Sequence, residues 1–223
     1  MEKTIFDRDK SAVIIVDMVN DFLKPGGAFV KGLGDKYVDQ EELIGSNRRL
    51  LEAARSFPVP VFFTRTVRKP GEPRYLEHFI PLTGHRAKSH ALESLVEGTW
   101  GNEIIDELKP LPTEHIIHKK RRSAFLNTSL DFILRSLGRT TLVITGIGTP
   151  GCVESTVRSA FDLDYYIVMP KECTSTSSGA EDKQRALVHI GNHCAIVSTL
   201  EKVVSAMKAA TPVPLLNLRE VAI

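Results

Sequence analysis

The stretch TTLVITGIGTPGCVESTVRSAF, residues 140–161, leaves few backbones open to the chain. Leu142 to Ile147 is an apolar run, broken by a single Thr, with the length and β-branched content of a strand buried on both faces. Gly146-Ile147-Gly148-Thr149-Pro150-Gly151 then makes a turn, and Val157, Ala160 and Phe161 share one face of the helix that follows. Cys152 therefore lies where a parallel strand turns into a helix. Backbone N–H groups and the positive end of the helix dipole point there, and both lower a thiol's pKa. Such a place suits a nucleophile.

Two further readings use the same residues. Cys152 is equally well a small buried hydrophobe, as many free cysteines are. Alternatively, Gly146, Gly148 and Gly151 spell the G-x-G-x-x-G of a dinucleotide-binding turn, with Glu172 following at about 20 residues' distance. Against the dinucleotide reading, the motif lies in the second half of the chain. Pro150 also removes an N–H from the turn that would cradle a pyrophosphate.

The remaining pattern alternates strands with helices. Ala12 to Val16 is an apolar run ending at Asp17, and Asn20-Asp21-Phe22-Leu23 begins a loop. Val38 to Ser56 has helical spacing, Val61 to Thr64 is a second strand, and His115 to His118 a third that ends at Lys119. Between them, Arg65 to Thr99 is polar and irregular, the composition of a lid or pocket wall, and Asn102 to Leu108 reads as a short amphipathic helix. A helix opens at Thr128 and stops at Gly138; Tyr165 to Met169 and Ala195 to Val197 are later strands, with helices at Ala180 to Ile190 and Leu200 to Ala209. Together these predict an α/β fold, a three-layer α/β/α sandwich with a six-stranded, mainly parallel, doubly wound sheet, as one domain over residues 1–223. The apolar tail from Thr211 is expected to dock on this or a neighbouring subunit, and a homo-oligomer, dimer or tetramer, is expected.

Composition narrows the function. With 223 residues, 42% hydrophobic and 25% charged, the chain can bury one sizeable core. A net charge of +2 gives no global reason to expect nucleic acid or a membrane as partner. Three widely spaced cysteines without metal-ligand spacing fit a reduced, cytoplasmic setting, and the N-terminal apolar run is too short for a signal peptide or a membrane span.

In an open parallel sheet, ligands bind outside the carboxyl ends of the strands. Asp17, Lys119 and Cys152 all fall at such ends, on three different strands. Each has a dull explanation alone: Asp17 as a loop cap, Lys119 as part of the solvated run Lys119-Lys120-Arg121-Arg122. Their convergence on one edge is what suggests chemistry.

The chain resembles the isochorismatase-like cysteine hydrolases, which include nicotinamidase, N-carbamoylsarcosine amidase, biuret hydrolase and ureidoacrylate amidohydrolase. The likeness rests on Ala12-Val-Ile-Ile-Val-Asp17 with Asn20-Asp21-Phe22, on Gly98-Thr-Trp-Gly101, on Lys119 to Phe125 with Asn127-Thr128, and on Gly146 to Thr156. It implies Asp17, Lys119 and Cys152 as catalytic residues, Lys120 being the competing lysine, with the Gly148 and Cys152 N–H groups as oxyanion hole. It also implies a cis Ile147–Gly148 peptide and the strand order 3-2-1-4-5-6. Where nicotinamidases carry an Asp-x-His metal motif, this chain has Thr64-Arg65-Thr66-Val67-Arg68, and His78, His85 and His90 do not restore that spacing. No metal and no cofactor are therefore expected. Pro150 stands where the family commonly has Asp, Asn or Ser.

The motif blocks look most like the ureido and carbamoyl branch, so a small-molecule ureide, carbamoyl or amide substrate is implied, hydrolysed through a thioester with release of ammonia. Phe22, Arg122, Trp100 and Phe125 are candidate substrate-binding residues, with Arg65 or Arg68 as further cations. The alternatives are isochorismatase-type vinyl-ether hydrolysis, which needs an acid and no thiol, and a non-catalytic dinucleotide-binding module.

Overall fold

An unbroken apolar run that lies between two layers must be buried on both faces, and in Ser11–Val16 (β2) every residue is buried. The computed structural model describes residues 5–32, 40–69 and 94–220. Within them the parallel sheet runs His115–Lys119 (β4), Val61–Thr66 (β3), β2, Thr141–Ile147 (β5), Tyr166–Pro170 (β6) and Ile196–Ser198 (β8). Counted over those strands, this is the expected 3-2-1-4-5-6 order. A seventh strand, Thr174–Ser175 (β7), pairs with Gly146 and Ile147 at the end of β5 and corrects the six-strand expectation. Two polar residues carry no periodicity, so only the pairing reveals them. Ile5–Phe6 (β1) and Val213–Pro214 (β9) form a separate antiparallel pair, and Leu215 and Leu218 are buried. The apolar tail thus docks on its own chain.

Side chains along a strand alternate between faces, and the two faces of β2 meet different helices. Val13 and Ile15 pack in one cluster with Leu50 and Ala54 of Glu41–Ser56 (α3) and Val203 and Met207 of Leu200–Lys208 (α7). Ala12, Ile14 and Val16 join Leu134 of Leu130–Ser136 (α4), Val157 and Ala160 of Glu154–Asp162 (α5), and Ile190 of Ala180–His193 (α6). Three layers result, as expected. Each fully buried aliphatic side chain contributes roughly 1.5–3 kcal/mol. Among the described residues no helix is long and apolar enough to cross a membrane.

Two local expectations fail for one reason, pairing across the chain. Asn102 to Leu108 is not a helix but two tight turns, Trp100–Asn102 and Asp106–Leu108, around an extended middle. Val19 bridges Ile104, Ile105 N–H donates to Met18 O, and Asn20 N–H donates to Glu103 O, so backbone groups that a helix would use are taken. Asn20–Leu23 (α1), read as loop, is a single helical turn against that segment. Val38, His78, His85, His90 and most of the Arg65 to Thr99 stretch lie outside the described residues.

Strand order reverses between β2 and β5, and a crevice opens there at the carboxyl ends. Register sets Val16 opposite both Thr64 and Gly146, and Thr66 opposite Lys119. Gly146 makes this close approach possible. Its φ is +118°, and a Cβ there would stand 2.1 Å from the Val16 carbonyl oxygen. Gly45 in the middle of α3 is the contrary case, since a Cβ there would meet nothing within 4 Å. In urea unfolding, Gly146→Ala is expected to lose roughly 2–5 kcal/mol through strain and overlap. Gly45→Ala is expected to gain about 0.5–1 kcal/mol.

Candidate active site

Asp17 follows β2 with a φ of +55°, which turns its side chain back over the sheet edge. Both carboxylate oxygens are engaged by β3: Oδ1 accepts from Thr66 N–H at 3.0 Å and Thr64 Oγ1 at 3.3 Å, and Oδ2 accepts from Thr66 Oγ1 at 3.1 Å. Lys119, at the end of β4, extends across β3 to reach the same group. Its Nζ lies 2.7 Å from Asp17 Oδ2, with the two side chains 0% and 1% exposed. It also donates to Thr66 Oγ1 at 2.7 Å and to the Arg121 carbonyl at 3.1 Å, so its three protons are all placed. Burial works against the ammonium charge, but Asp17 and then Cys152 outweigh it and hold the Lys119 pKa above the usual lysine value.

The Cys152 turn is built differently from the expectation. All peptide bonds among the described residues are trans, so the chain bends at Gly148, in left-handed geometry at φ +85°, and not through a cis Ile147–Gly148 bond. A wide turn over Thr149–Val153 then leads into α5. The Ser175 carbonyl of β7 clamps the turn, accepting from Gly148 N–H at 2.8 Å and Thr149 Oγ1 at 3.0 Å. Of the two expected oxyanion donors, Gly148 N–H is thus committed to Ser175. Outside its own turn, Cys152 N–H meets no acceptor among the described residues.

The thiol lies within hydrogen-bonding reach of both Asp17 and Lys119. Its pKa is pushed up to about 12, first by burial and next by the charge of Asp17, with Lys119 acting in the opposite direction. This reverses the depression expected from the helix N-terminus, because desolvation and a neighbouring anion outweigh a dipole. The resting site holds a protonated thiol beside a carboxylate and an ammonium.

Cys152 opens onto a cavity of about 320 Å3. Phe22 and Arg122, both candidates for substrate binding, line it together with Gly148 and Pro150. Trp100 and Phe125 do not. Trp100 is 51% exposed, with its carbonyl bonded to Asn20 Nδ2, and Phe125 packs on Tyr165 at 5.8 Å as part of the core edge. Phe29, Thr176 and Ser177 complete the wall without having been singled out in the sequence. Arg65 bonds to His118 and the Asn102 carbonyl, and Arg68 to the Ser94 carbonyl; neither lines the cavity. Among the described residues no group of three His, Cys, Asp or Glu side chains is gathered as a metal site would require.

A model of the isochorismatase domain matches residues 11–202. This chain belongs to the isochorismatase family. Its isochorismatase relatives include the ureidoacrylate amidohydrolase RutB of Variovorax paradoxus (strain S110), 34% identical over 212 residues, spanning 90% of this chain and 82% of the relative. RutB of Klebsiella pneumoniae (strain 342) is 32% identical over 225 residues, spanning 96% of this chain and 94% of the relative. A solved cysteine hydrolase from Pseudomonas syringae pv. phaseolicola 1448A shares the fold, with a TM-score of 0.76 and 24% identity over 95% of this chain and 100% of its own. The alternation of strands and helices read from the sequence is thus the isochorismatase α/β fold.

Thr66 bridges both charges of the isochorismatase-family site, in the segment where a metal motif would stand. Thr66→Val is expected to cost about 1–3 kcal/mol, because it leaves a buried ammonium one acceptor short. Thr66→Ser should recover most of this. Denaturant unfolding of both variants checks the pair.

Proposed function

We propose that the chain is a cysteine-dependent amidohydrolase that cleaves a C–N bond of a small ureide or carbamoyl compound and releases ammonia. The observation that carries this reading is the Lys119–Asp17 pair at 2.7 Å, buried beside a thiol that opens on a cavity. The ureidoacrylate amidohydrolase relatives support the ureide class.

A thiol whose pKa is about 12 is protonated at neutral pH, so the nucleophile must be generated in the complex. Asp17 takes the thiol proton as Sγ attacks the carbonyl carbon, and Lys119 compensates the charge. The developing oxyanion is met by the Cys152 N–H. Collapse breaks the C–N bond, and Asp17 returns the proton to the departing nitrogen, which leaves as ammonia. The S-acyl intermediate is a thioester for an amide and a thiocarbamate for a ureide. Water then adds to it, giving one proton to Asp17, and the thiolate departs and is reprotonated.

Ammonia release from ureidoacrylate, biuret, N-carbamoyl amino acids and nicotinamide tests the reading, with Cys152→Ala alongside. The expected result is release from a ureide or carbamoyl compound that the substitution abolishes. Activity that survives in Cys152→Ala would overturn the thiolate mechanism.

Asp17→Asn separates the base from the electrostatics. Removing the anion that raises the Cys152 pKa must lower it, so iodoacetamide should label Cys152 faster at neutral pH. Turnover should nevertheless fall roughly 100- to 10,000-fold for want of a proton acceptor.

A further inference from the structure

Lys119-Lys120-Arg121-Arg122 reads as one basic run, yet the fold sends its members to different places. Lys119 is buried against Asp17, Arg121 turns its guanidinium back on the Lys120 carbonyl, and Arg122 lines the cavity of Cys152. The Arg122 backbone is held from both sides. Lys119 anchors it on one side. On the other, Ser123 Oγ donates to Ser159 Oγ at 2.8 Å and Ala124 N–H donates to Thr156 Oγ1 at 3.1 Å. Thr156 Oγ1 in turn donates to the Cys152 carbonyl at 2.7 Å. The segment carrying the guanidinium and the turn carrying the thiol are fastened to the same helix, α5.

Among the described residues that line the cavity, Arg122 is the one charged side chain, and no described carboxylate pairs with it. Phe22 and Phe29, edge to face at 5.1 Å, and Ile147 supply apolar walls, while Thr176 and Ser177 bring hydroxyl-bearing residues. A guanidinium over a largely apolar hollow binds a carboxylate through two parallel hydrogen bonds, and no neutral group matches that fork.

On the amidohydrolase reading, we propose that Arg122 determines specificity by selecting substrates that carry a carboxylate. The substrate class is a small ureido or carbamoyl acid, its carbonyl at Cys152 and its carboxylate on Arg122. Neutral ureides and amides of the same length are poorer substrates.

The deciding experiment needs no turnover. Cys152 is alkylated with iodoacetate and with iodoacetamide, and the two rates are read by mass spectrometry of its peptide, since Cys173 and Cys194 are also free thiols. Both reagents consume the same thiolate, so the ratio of rates cancels any change in thiol pKa and reports attraction of the carboxylate alone. Arg122→Gln is expected to lower the iodoacetate-to-iodoacetamide ratio roughly 10-fold, and Arg122→Lys to lower it less. An unchanged ratio in Arg122→Gln would overturn the assignment. In a second arm, kcat/KM for ureidoacrylate relative to its neutral amide, ureidoacrylamide, should fall roughly 10- to 100-fold in Arg122→Gln, mainly through KM. An equal fall for both compounds would also overturn it. If the wild type hydrolyses neither of these compounds nor any of the ureides, carbamoyl compounds and amides named above while the alkylation ratio still falls, the amidohydrolase reading fails and the carboxylate site stands.

Discussion

A fully buried ammonium–carboxylate pair is costly unless every remaining proton and lone pair is met, because desolvation of the two ions rivals their attraction. Lys119 and Asp17 satisfy that condition through β3. Thr66 contributes its N–H and its hydroxyl, Thr64 a second hydroxyl, and the Arg121 carbonyl takes the last ammonium proton. The lysine must therefore lie one strand beyond β3 and the aspartate one strand before it, which is the order the sheet adopts. Lysine is long enough to cross the intervening strand. The sheet order and the buried ion pair are two aspects of one electrostatic requirement.

That requirement also shapes the Cys152 thiol. A thiol placed against a buried carboxylate is held protonated, even beside a helix start and a lysine. The thiolate, the form that alkylating and oxidising agents attack, is thus disfavoured in the resting site. On the proposed mechanism, a substrate whose carbonyl accepts the sulfur supplies what the free site lacks, a place for the negative charge to go.

Strand ends were the legible part of the sequence. Asp17, Lys119 and Cys152 each close an apolar run or a glycine turn, and runs of that kind report local structure directly. Thr66 stands in the sequence only as a residue that is not a metal ligand, because its place between the two charges arises from register with Lys119 and has no sequence signature of its own. Ser175 was invisible for a similar reason: it acts through a backbone carbonyl, which every residue has. Trp100 and Phe125, candidates for substrate binding, lie off the cavity of Cys152, and aromatic side chains look alike in sequence whether they line a hollow or close a core. The segment from Asn102 to Leu108 kept a helical pattern of apolar residues, but its backbone found partners across the chain.

The clamp at Ser175 bears on how the site comes together. Asp17 and Lys119 come from the first half of the chain and its middle, Cys152 from the second half, and the carbonyl that pins the Cys152 turn from further on still. Contacts so distant in sequence close late and together, which makes for slow, cooperative folding. No contiguous fragment carries all of these groups, so the site is assembled only when the strands that bear them have paired.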